Sequence, residues 1–423
     1  MSSRLRIVVT GLIAQHPHLG GVAWDYVQYA AGLDRLGHDV YYFEDSGEWP
    51  YNTDGGPTGN DWVARDCRPN VLHLARVMDR FGLGERWAYR FPIDGSWHGL
   101  PDSRRKHVLD SADLLLNVSG TLEWPERYEN VTCRAYVDSD PVFTQIRLLA
   151  NADEPMPDDG ENATAFRRRV DSHHVHFTFG ETLPEDLRAT GHTWLPTRQP
   201  VLLSEWRPRE SHGRALTTIM SWTSYPPLVH AGRTYGQKNV ELSRFLDLPK
   251  LVPQATLGIA MNPTHHANWE SVPARDAESS AGALARRGWR VFDARRACSE
   301  LTSYRRFVES SAGEWSVAKN GYVVGRSGWF SCRSACYLAA GRPVVVQDTG
   351  FGCVLPVGTG ILAFRTPSEA AAAVEEVTAD YSLHASAARP LAESLFDSDK
   401  VLAELVEEAL RVTPAATVPG GRP

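Results

Sequence analysis

A strand, a glycine-containing loop, a helix and a second strand follow one another at the N-terminus of the chain, and this order strongly constrains the fold. Residues 6–13 form an apolar run that predicts a buried strand, and Gly20 and Gly21 lie in the loop after it. Residues 23–36 carry apolar side chains at helical spacing, and Gly37 marks the end of the helix. Residues 39–43 predict the second strand. Because such a βαβ unit joins parallel strands, the sequence predicts an α/β fold with a doubly wound sheet.

The same pattern is repeated along the chain, and each apolar run ends in small polar residues. The runs lie at 113–118, 134–137, 175–179, 215–222, 256–261, 289–292 and 343–347. A single hydrophobic core rarely exceeds about 250–300 residues, so a chain of 423 residues predicts two domains. The proline-containing segment 192–208 reads as the linker. The predicted limits are 1–200 for the first domain, 201–412 for the second and 413–423 for a flexible tail.

Charge and composition exclude several classes of protein. Lys and Arg total 44 against 51 Asp and Glu, which gives a net charge of −7. A nucleic-acid partner bound through a large basic face is therefore not expected. No window reaches the roughly 18 apolar residues of a membrane span. The six cysteines include no CxxC pair, and the N-terminus does not read as an export signal. The cysteines and the N-terminus predict a cytoplasmic protein without a structural zinc site or redox motif. Only five of the 44 basic residues are Lys, a bias that predicts a bacterial genome rich in G and C.

The segment from residue 322 to residue 351 is the most informative part of the sequence. Residues 321–324 predict a strand that leads into Ser327 and Gly328. Ser331 is a suitable N-cap, because its hydroxyl can accept a hydrogen bond from the first turn of a helix. That helix is expected to end at Gly341.

Free N–H groups at the start of this helix would attract an anion. Arg326 and Arg333 flank the position and would add charged hydrogen bonds to a phosphate. Asp348 and Thr349 follow the next predicted strand, and their oxygens suit a polyol such as a sugar. The alternative is that Gly328 and Gly341 only permit turns and that the helix only covers the sheet.

The run from Ser327 to Thr349 resembles the donor-binding segment of GT-B glycosyltransferases. Gly20, Gly21 and the segment 37–40 resemble the start of the acceptor domain in the same enzymes. The resemblance implies two facing Rossmann-like domains, with a nucleoside diphosphate sugar in the cleft between them. It also implies roles for single residues, namely diphosphate contacts for Ser327, Gly328 and Ser331 and sugar contacts for Asp348 and Thr349.

The sequence departs from two patterns of that family. Many retaining members carry a pair of glutamates around this helix, where the present chain has Gly328 and Cys336. The histidine that opens the motif in many inverting members is also absent. The anomeric outcome of transfer therefore cannot be carried over from the resemblance.

Further donor-side residues are predicted outside this segment. Ser221 lies at the end of a predicted strand, and Lys238 lies in the following loop, which approaches the diphosphate in GT-B enzymes. Glu314 could hold ribose hydroxyls, or it could be an exposed helix or turn residue. Lys319 could reach a phosphate, or it could be a solvated surface residue.

Inverting transfer requires a base that removes the proton of the acceptor hydroxyl. His16 and His18 follow the first strand, and an imidazole with a pKa near 6.5 suits that task. Asp138 or Asp140 could orient the imidazole. The alternative is that both histidines are surface loop residues.

The predicted function is transfer of a sugar from a nucleotide donor of the UDP or dTDP type to a small-molecule acceptor, such as a natural product or cell-surface precursor. No permanently bound cofactor is expected, and a homodimer is an open possibility. Two alternatives remain. A nucleotide-sugar epimerase would share the fold and donor site, whereas a degenerate scaffold protein would bind no nucleotide.

Overall fold

Two large sheets organise the computed structural model, which describes residues 4–52, 63–150, 162–209, 213–262 and 281–412. The first sheet has eight strands in the order β4-β3-β2-β1-β5-β6-β7-β8, and only the β3–β4 pair is antiparallel. The second sheet has six parallel strands in the order β13-β12-β9-β14-β15-β16, and β10 and β11 form a separate hairpin. We call each large sheet with its covering helices the N-terminal unit and the C-terminal unit.

The elements of the N-terminal unit are β1 (Arg6–Thr10), α1 (Gly20–Arg35), β2 (Asp39–Glu44), α2 (Arg68–Arg80), β3 (Trp87–Arg90), β4 (Trp97–Gly99), α3 (Asp102–Asp110), β5 (Leu114–Val118), β6 (Cys133–Asp138), α4 (Phe143–Leu149), α5 (Ala163–Asp171), β7 (Val175–Thr178), α6 (Glu185–Arg188) and β8 (Trp194–Pro196).

The remaining elements are β9 (Ala215–Ser221), β10 (Leu228–His230), β11 (Arg233–Tyr235), α7 (Lys238–Leu242), α8 (Leu248–Leu251), β12 (Thr256–Asn262), α9 (Ala281–Arg286), β13 (Arg290–Asp293), α10 (Ala294–Cys298), α11 (Leu301–Ser310), β14 (Gly313–Ser316), α12 (Asn320–Gly325), α13 (Cys332–Ala339), β15 (Val344–Gln347), β16 (Ile361–Phe364), α14 (Pro367–Ala379), α15 (Tyr381–Leu395) and α16 (Ser398–Val412).

The strand order confirms the predicted α/β class with two Rossmann-like sheets. In each sheet the connection reverses direction once, between β1 and β5 in the first and between β9 and β14 in the second. Ligands of doubly wound sheets bind outside the carboxyl ends of the strands at such a reversal. Ile7, Val8 and Val9 are fully buried, as expected for a strand covered by helices on both faces.

The predicted strand at 321–324 is wrong, because these residues belong to helix α12. Val323 and Val324 favour a strand locally, but Gly321 and Gly325 in the same stretch pack closely against Phe143 and Val142 of the N-terminal unit. The strand at this place in the sheet is β14, which the sequence analysis did not recognise. Its second residue, Glu314, is fully buried and interrupts the apolar pattern.

The last described helix, α16, packs against the N-terminal unit. Helix α16 contacts α1 and β6, and Leu402 is fully buried against Gly32. The predicted linker 192–208 contains β8 at its start. The domain limits remain a prediction, and the predicted tail at 413–423 lies outside the described residues.

Within the described residues, the helices are all too short or too polar to span a bilayer.

Candidate functional site

A small cavity of about 10 Å³ lies where β14 and β15 end and α13 begins. Its walls include Ser316 at the end of β14, Gln347 at the end of β15, and Ser331 and Arg333 at the start of α13. The N-terminus of α13 and the ends of two strands therefore converge here. A larger cavity of about 620 Å³ lies elsewhere, beside α10 and α11, and does not include these strand ends.

The loop before α13 has the geometry that its sequence requires. Ser331 is the N-cap of α13, and its hydroxyl accepts a hydrogen bond from the Arg333 N–H at 3.3 Å. Gly328 has φ +79°, and a Cβ there would lie 2.9 Å from the backbone nitrogen of Thr182. Both the backbone angle and the close approach disfavour a side chain at this position. Gly328 therefore allows the loop to pack directly against the N-terminal unit.

Ser327 lies in the same loop but is fully buried. Its hydroxyl accepts a hydrogen bond from the Trp329 N–H at 3.3 Å, and its carbonyl oxygen accepts one from the Thr182 N–H at 3.0 Å. Ser327 therefore shapes the loop and links it to the N-terminal unit, and diphosphate contact remains a prediction for it.

Arg333 lies deeper than the sequence analysis expected. Its guanidinium is buried and donates to Glu314 at 2.5 Å, to the Ile219 carbonyl oxygen at 2.7 Å and to the Ser316 hydroxyl at 2.6 Å. Glu314 is correspondingly fully buried, so its carboxylate faces Arg333 instead of an open ribose pocket. The pair lies beside the reversal point between β9 and β14, and the Glu314 carboxylate holds the Arg333 guanidinium at the wall of the cavity.

Lys238 is the first residue of α7 and lies beside this buried pair. Its side chain is partly exposed, and Arg333, Lys319 and Glu314 are its electrostatic neighbours. Burial among these groups, and the positive charges of Arg333 and Lys319, lower the pKa of Lys238 to about 7. Ser221, at the end of β9, is also partly exposed. A diphosphate would restore the charge of Lys238, since an anion favours the protonated ammonium.

Asp25 faces the same region from the N-terminal unit, and the sequence analysis missed it. Its carboxylate accepts a hydrogen bond from the Cys332 thiol and lies near Arg333 and Lys238. Burial raises the pKa of Asp25 to about 6, although these three residues act in the opposite direction. Its position on α1, a few residues after Gly20 and Gly21, was the available signal, but contact with α13 depends on how the units pack.

The side chains of Asp348 and Thr349 form hydrogen bonds within the C-terminal unit. Asp348 accepts from the Gly350 N–H at 2.7 Å and pairs with Arg365 at 2.6 Å. Burial would raise the pKa of Asp348, but Gly350, Arg365 and Arg326 outweigh it and the pKa lies below the usual value. The Thr349 hydroxyl donates to the Trp329 carbonyl oxygen at 2.6 Å. Sugar binding by these residues therefore remains a prediction.

A buried glutamate shapes the loop that carries the predicted histidine bases. Glu44 accepts hydrogen bonds from the N–H groups of Ala14 at 2.8 Å and Gln15 at 2.7 Å. Burial raises the pKa of Glu44 to about 7 in spite of these donors. His16 stacks on Tyr51 with 4.9 Å between ring centroids. His18 is an electrostatic neighbour of His73, and burial lowers the pKa of His73 to about 4.

Asp138 is fully engaged by residues of its own unit. It accepts hydrogen bonds from the hydroxyls of Thr144 at 2.8 Å and Thr178 at 2.7 Å and from the Gln145 amide at 2.9 Å. Burial raises the pKa of Asp138 to about 6. These hydrogen bonds of Asp138 are to its own unit, and its role in orienting His16 or His18 stays a prediction.

Gly20 and Gly21 start α1 against the C-terminal unit. A Cβ on Gly20 would lie 2.5 Å from the Glu300 carbonyl oxygen, whereas one on Gly21 would lie 3.0 Å from the Tyr304 ring. Both glycines thus permit a close approach between the units. Their predicted acceptor-side role is untested by this contact.

In the part of the chain that the structure describes, no group of three or more His, Cys, Asp or Glu side chains is arranged to hold a metal ion.

Loops from the carboxyl ends of both sheets meet across one cleft. Asp140 follows β6 and contacts Lys319, which follows β14, and Thr182 follows β7 and donates to the Arg326 carbonyl oxygen at 2.8 Å. Two doubly wound units that face each other through these edges define the GT-B fold, which confirms the architecture predicted from the sequence.

Comparison with solved structures agrees with this assignment. The chain is similar to AviGT4, a glycosyltransferase involved in avilamycin A biosynthesis, with 13% identity, a TM-score of 0.51 and coverage of 97% of this chain and 99% of that chain. For Anabaena Alr3699/HepE in complex with UDP and glucose, the identity is 9%, the TM-score 0.57 and the coverage 96% and 100%. For sucrose-phosphate synthase from Thermosynechococcus elongatus, the values are 12%, 0.54, 98% and 100%.

No family model matches the sequence, and no curated protein matches it. At these low identities the similarity to solved structures establishes the fold.

Proposed function

We propose that this protein is a glycosyltransferase that moves a sugar from a nucleoside diphosphate donor of the UDP or dTDP type to a small-molecule acceptor. The observation that carries the proposal is the meeting of Lys238, the Arg333–Glu314 pair and the Ser331-capped start of α13 at the strand ends of the second sheet. The similar protein HepE has been solved with UDP and glucose. That similarity supports the same class of donor for this chain.

The proposed chemistry depends on hydrogen-bond donors and positive groups that are in place around the diphosphate before the reaction starts. Departure of the nucleoside diphosphate leaves additional negative charge on the phosphate oxygens. The N–H groups at the start of α13 and the Lys238 ammonium would stabilise that charge, and Glu314 holds the Arg333 guanidinium in place beside them. Groups that do not reorganise during the reaction lower its barrier more than mobile ones do.

On the acceptor side, the proposal keeps His16 and His18 as the residues that would take the proton of an attacking hydroxyl. The Glu44 hydrogen bonds to Ala14 and Gln15 hold the start of this loop in a fixed shape. Comparing the pH profiles of His16→Ala and His18→Ala tests the role. Unchanged rates and profiles in both variants would remove these histidines from the mechanism.

Calorimetric titration of the purified protein with UDP, dTDP, GDP and ADP tests the donor site. We expect one of the first two to bind, and Lys238→Met to weaken that binding by about ten- to a hundredfold, because a hydrogen bond to a charged group contributes about 1.5–3 kcal/mol. Lys250→Met is the matched control, since Lys250 is an exposed lysine paired with Asp247 on the surface. Absence of binding by all four diphosphates would favour the scaffold alternative.

A further inference from the structure

An ammonium group of the C-terminal unit is enclosed by residues of both units. The Lys319 Nζ lies 3.0 Å and 3.1 Å from the two carboxylate oxygens of Asp140 and donates to the Tyr225 hydroxyl oxygen at 2.7 Å. It also lies over three aromatic rings, at 5.2 Å from Phe143, 4.4 Å from Tyr225 and 5.4 Å from Tyr322. A partly desolvated ammonium is favoured by such ring faces as well as by the carboxylate.

The carboxylate of Asp140 likewise accepts several hydrogen bonds. The hydroxyls of Tyr225 and Tyr322 both donate to it, in addition to the Lys319 ammonium. Asp140 and Phe143 belong to the N-terminal unit, whereas Lys319, Tyr225 and Tyr322 belong to the C-terminal unit. We refer to these five residues as the interunit clasp.

The clasp is directly connected to the loop that carries Lys238. Asn320 follows Lys319 in the chain, and its side-chain oxygen accepts a hydrogen bond from the Gly236 N–H at 3.0 Å. The Gly321 N–H donates to the Gly236 carbonyl oxygen at 2.9 Å. Glu241 in α7 accepts from the Asn320 amide at 2.7 Å. Movement of Lys319 relative to Asp140 would therefore move the backbone on which Lys238 is placed.

Neighbouring contacts bring the donor loop into the same assembly. The Trp329 indole N–H donates to the Ser139 carbonyl oxygen at 3.2 Å, and Thr182 bonds the backbone of Arg326 and Ser327. These contacts are hydrogen bonds to backbone carbonyl oxygens, whereas the clasp combines a charge pair with aromatic packing. A hydrogen-bonded charge pair whose ammonium side chain is only 16% exposed is costly to break on one side only.

We propose that Asp140 and Lys319 form a clasp that fixes the arrangement of the two units and places Lys238 for donor binding and transfer. Both are positioning residues, since they act through the Gly236–Lys238 loop and not on the reacting atoms. The structural part of this inference stands on the contacts above, and its effect on transfer rests on the proposed function. Breaking the clasp should loosen the contact between the units at this edge and disturb the donor loop together.

Asp140→Asn tests the clasp, because it removes the charge and keeps the size of the side chain. Asp34→Asn is the matched control, since Asp34 pairs with Arg86 inside the N-terminal unit and its side chain is 32% exposed, against 33% for Asp140. Small-angle X-ray scattering of Asp140→Asn should give a larger radius of gyration than that of the unchanged protein. We expect UDP or dTDP affinity and kcat to fall about tenfold or more, with neither readout altered in Asp34→Asn.

A second variant guards against a folding defect in the first. Lys319→Ala leaves space for n-propylammonium, which replaces the missing part of the lysine side chain. Addition of n-propylammonium should return the radius of gyration and donor affinity toward the original values, whereas 1-propanol, which has no charge, should not. Rescue of this kind requires an intact clasp pocket, so it would not follow from general stabilisation.

The outcomes separate this inference from the proposed function. If scattering changes in Asp140→Asn but no diphosphate binds to the unchanged protein, the clasp stands and the glycosyltransferase proposal falls. If the unchanged protein binds UDP or dTDP but Asp140→Asn matches Asp34→Asn in scattering and affinity, and propylammonium has no effect on Lys319→Ala, the clasp is overturned.

Discussion

Lys238 shows how the fold changes the chemistry of a single residue. An exposed lysine keeps its charge well above neutral pH, but burial together with Arg333 and Lys319 lowers the pKa of Lys238 to about 7. The sequence analysis selected Lys238 from its place in a loop and gave no indication of this shift. Arg333 and Lys319 lie more than 80 residues from Lys238 along the chain, so the shift is a consequence of tertiary packing alone.

Diphosphate affinity should therefore depend on pH through Lys238. The anion favours the protonated ammonium, whereas above pH 7 the free protein increasingly carries the neutral amine. We expect affinity for UDP or dTDP to fall as pH rises from 7 to 9, by at most about tenfold per pH unit. Calorimetric titration across that range measures the dependence.

Lys238→Arg provides the comparison for this prediction. A guanidinium stays protonated throughout the range, so the variant should show little change in affinity between pH 7 and pH 9. Equal pH dependence in the two proteins would place the responsible titration on another group.

At the scale of elements, the start of α1 shows that a tertiary contact can require glycine where the backbone angle does not. Gly20 and Gly21 were predicted as loop residues before a helix, and the structure makes Gly20 the first residue of α1. Neither has a positive φ. Their small size is required by the C-terminal unit, which approaches Gly20 with the backbone of Glu300.

Substitution at these two glycines should have unequal effects. A Cβ at Gly20 would meet a backbone carbonyl oxygen at 2.5 Å, whereas at Gly21 it would meet the Tyr304 ring at 3.0 Å. We expect Gly20→Ala to lower the free energy of unfolding by about 1–3 kcal/mol. Gly21→Ala should have a smaller effect because a side chain can move more easily than backbone. Urea denaturation of both variants measures the difference, and equal losses would contradict the close approach.

The elements also show where prediction from sequence succeeds and where it fails. Helix α13 was predicted because Ser331 and Gly341 mark its ends and its apolar spacing is helical. Strand β14 was missed because Glu314, a charged residue, lies within it and is buried only as the partner of Arg333. Helix α12 was predicted as a strand because its valines favour extended structure, while close contacts of Gly321 and Gly325 are invisible in the sequence.

At the scale of the whole molecule, the last helix joins the two units. Helix α16 follows the C-terminal unit in the chain and packs on α1 and β6 of the N-terminal unit. Its apolar face includes Leu402 and Leu405, both buried. The stability of the N-terminal unit should therefore depend on residues at the far end of the chain.

Leu402→Ala tests this dependence. Leu402 is fully buried, and removal of a buried leucine side chain costs about 2–5 kcal/mol through lost contacts and the cavity that remains. Leu410→Ala on the same helix is the control, since Leu410 is 39% exposed. Chemical denaturation should show a large loss for the first variant and a change below about 1 kcal/mol for the second. Similar losses in both would indicate that helix propensity, and not packing on α1, determines the effect.

The sequence by itself determined the alternation of strands and helices, the two Rossmann-like sheets and the Ser331-capped helix at the proposed donor site. Apolar spacing, glycine stops and caps act over a few neighbouring residues, so a linear chain displays them. The tertiary structure decided which charges meet. Asp140 and Lys319 are 179 residues apart, and Glu314 and Arg333 meet only because α13 packs beside β14. Burial, pKa shifts and the interunit clasp depend on such distant contacts, which propensity and spacing do not specify.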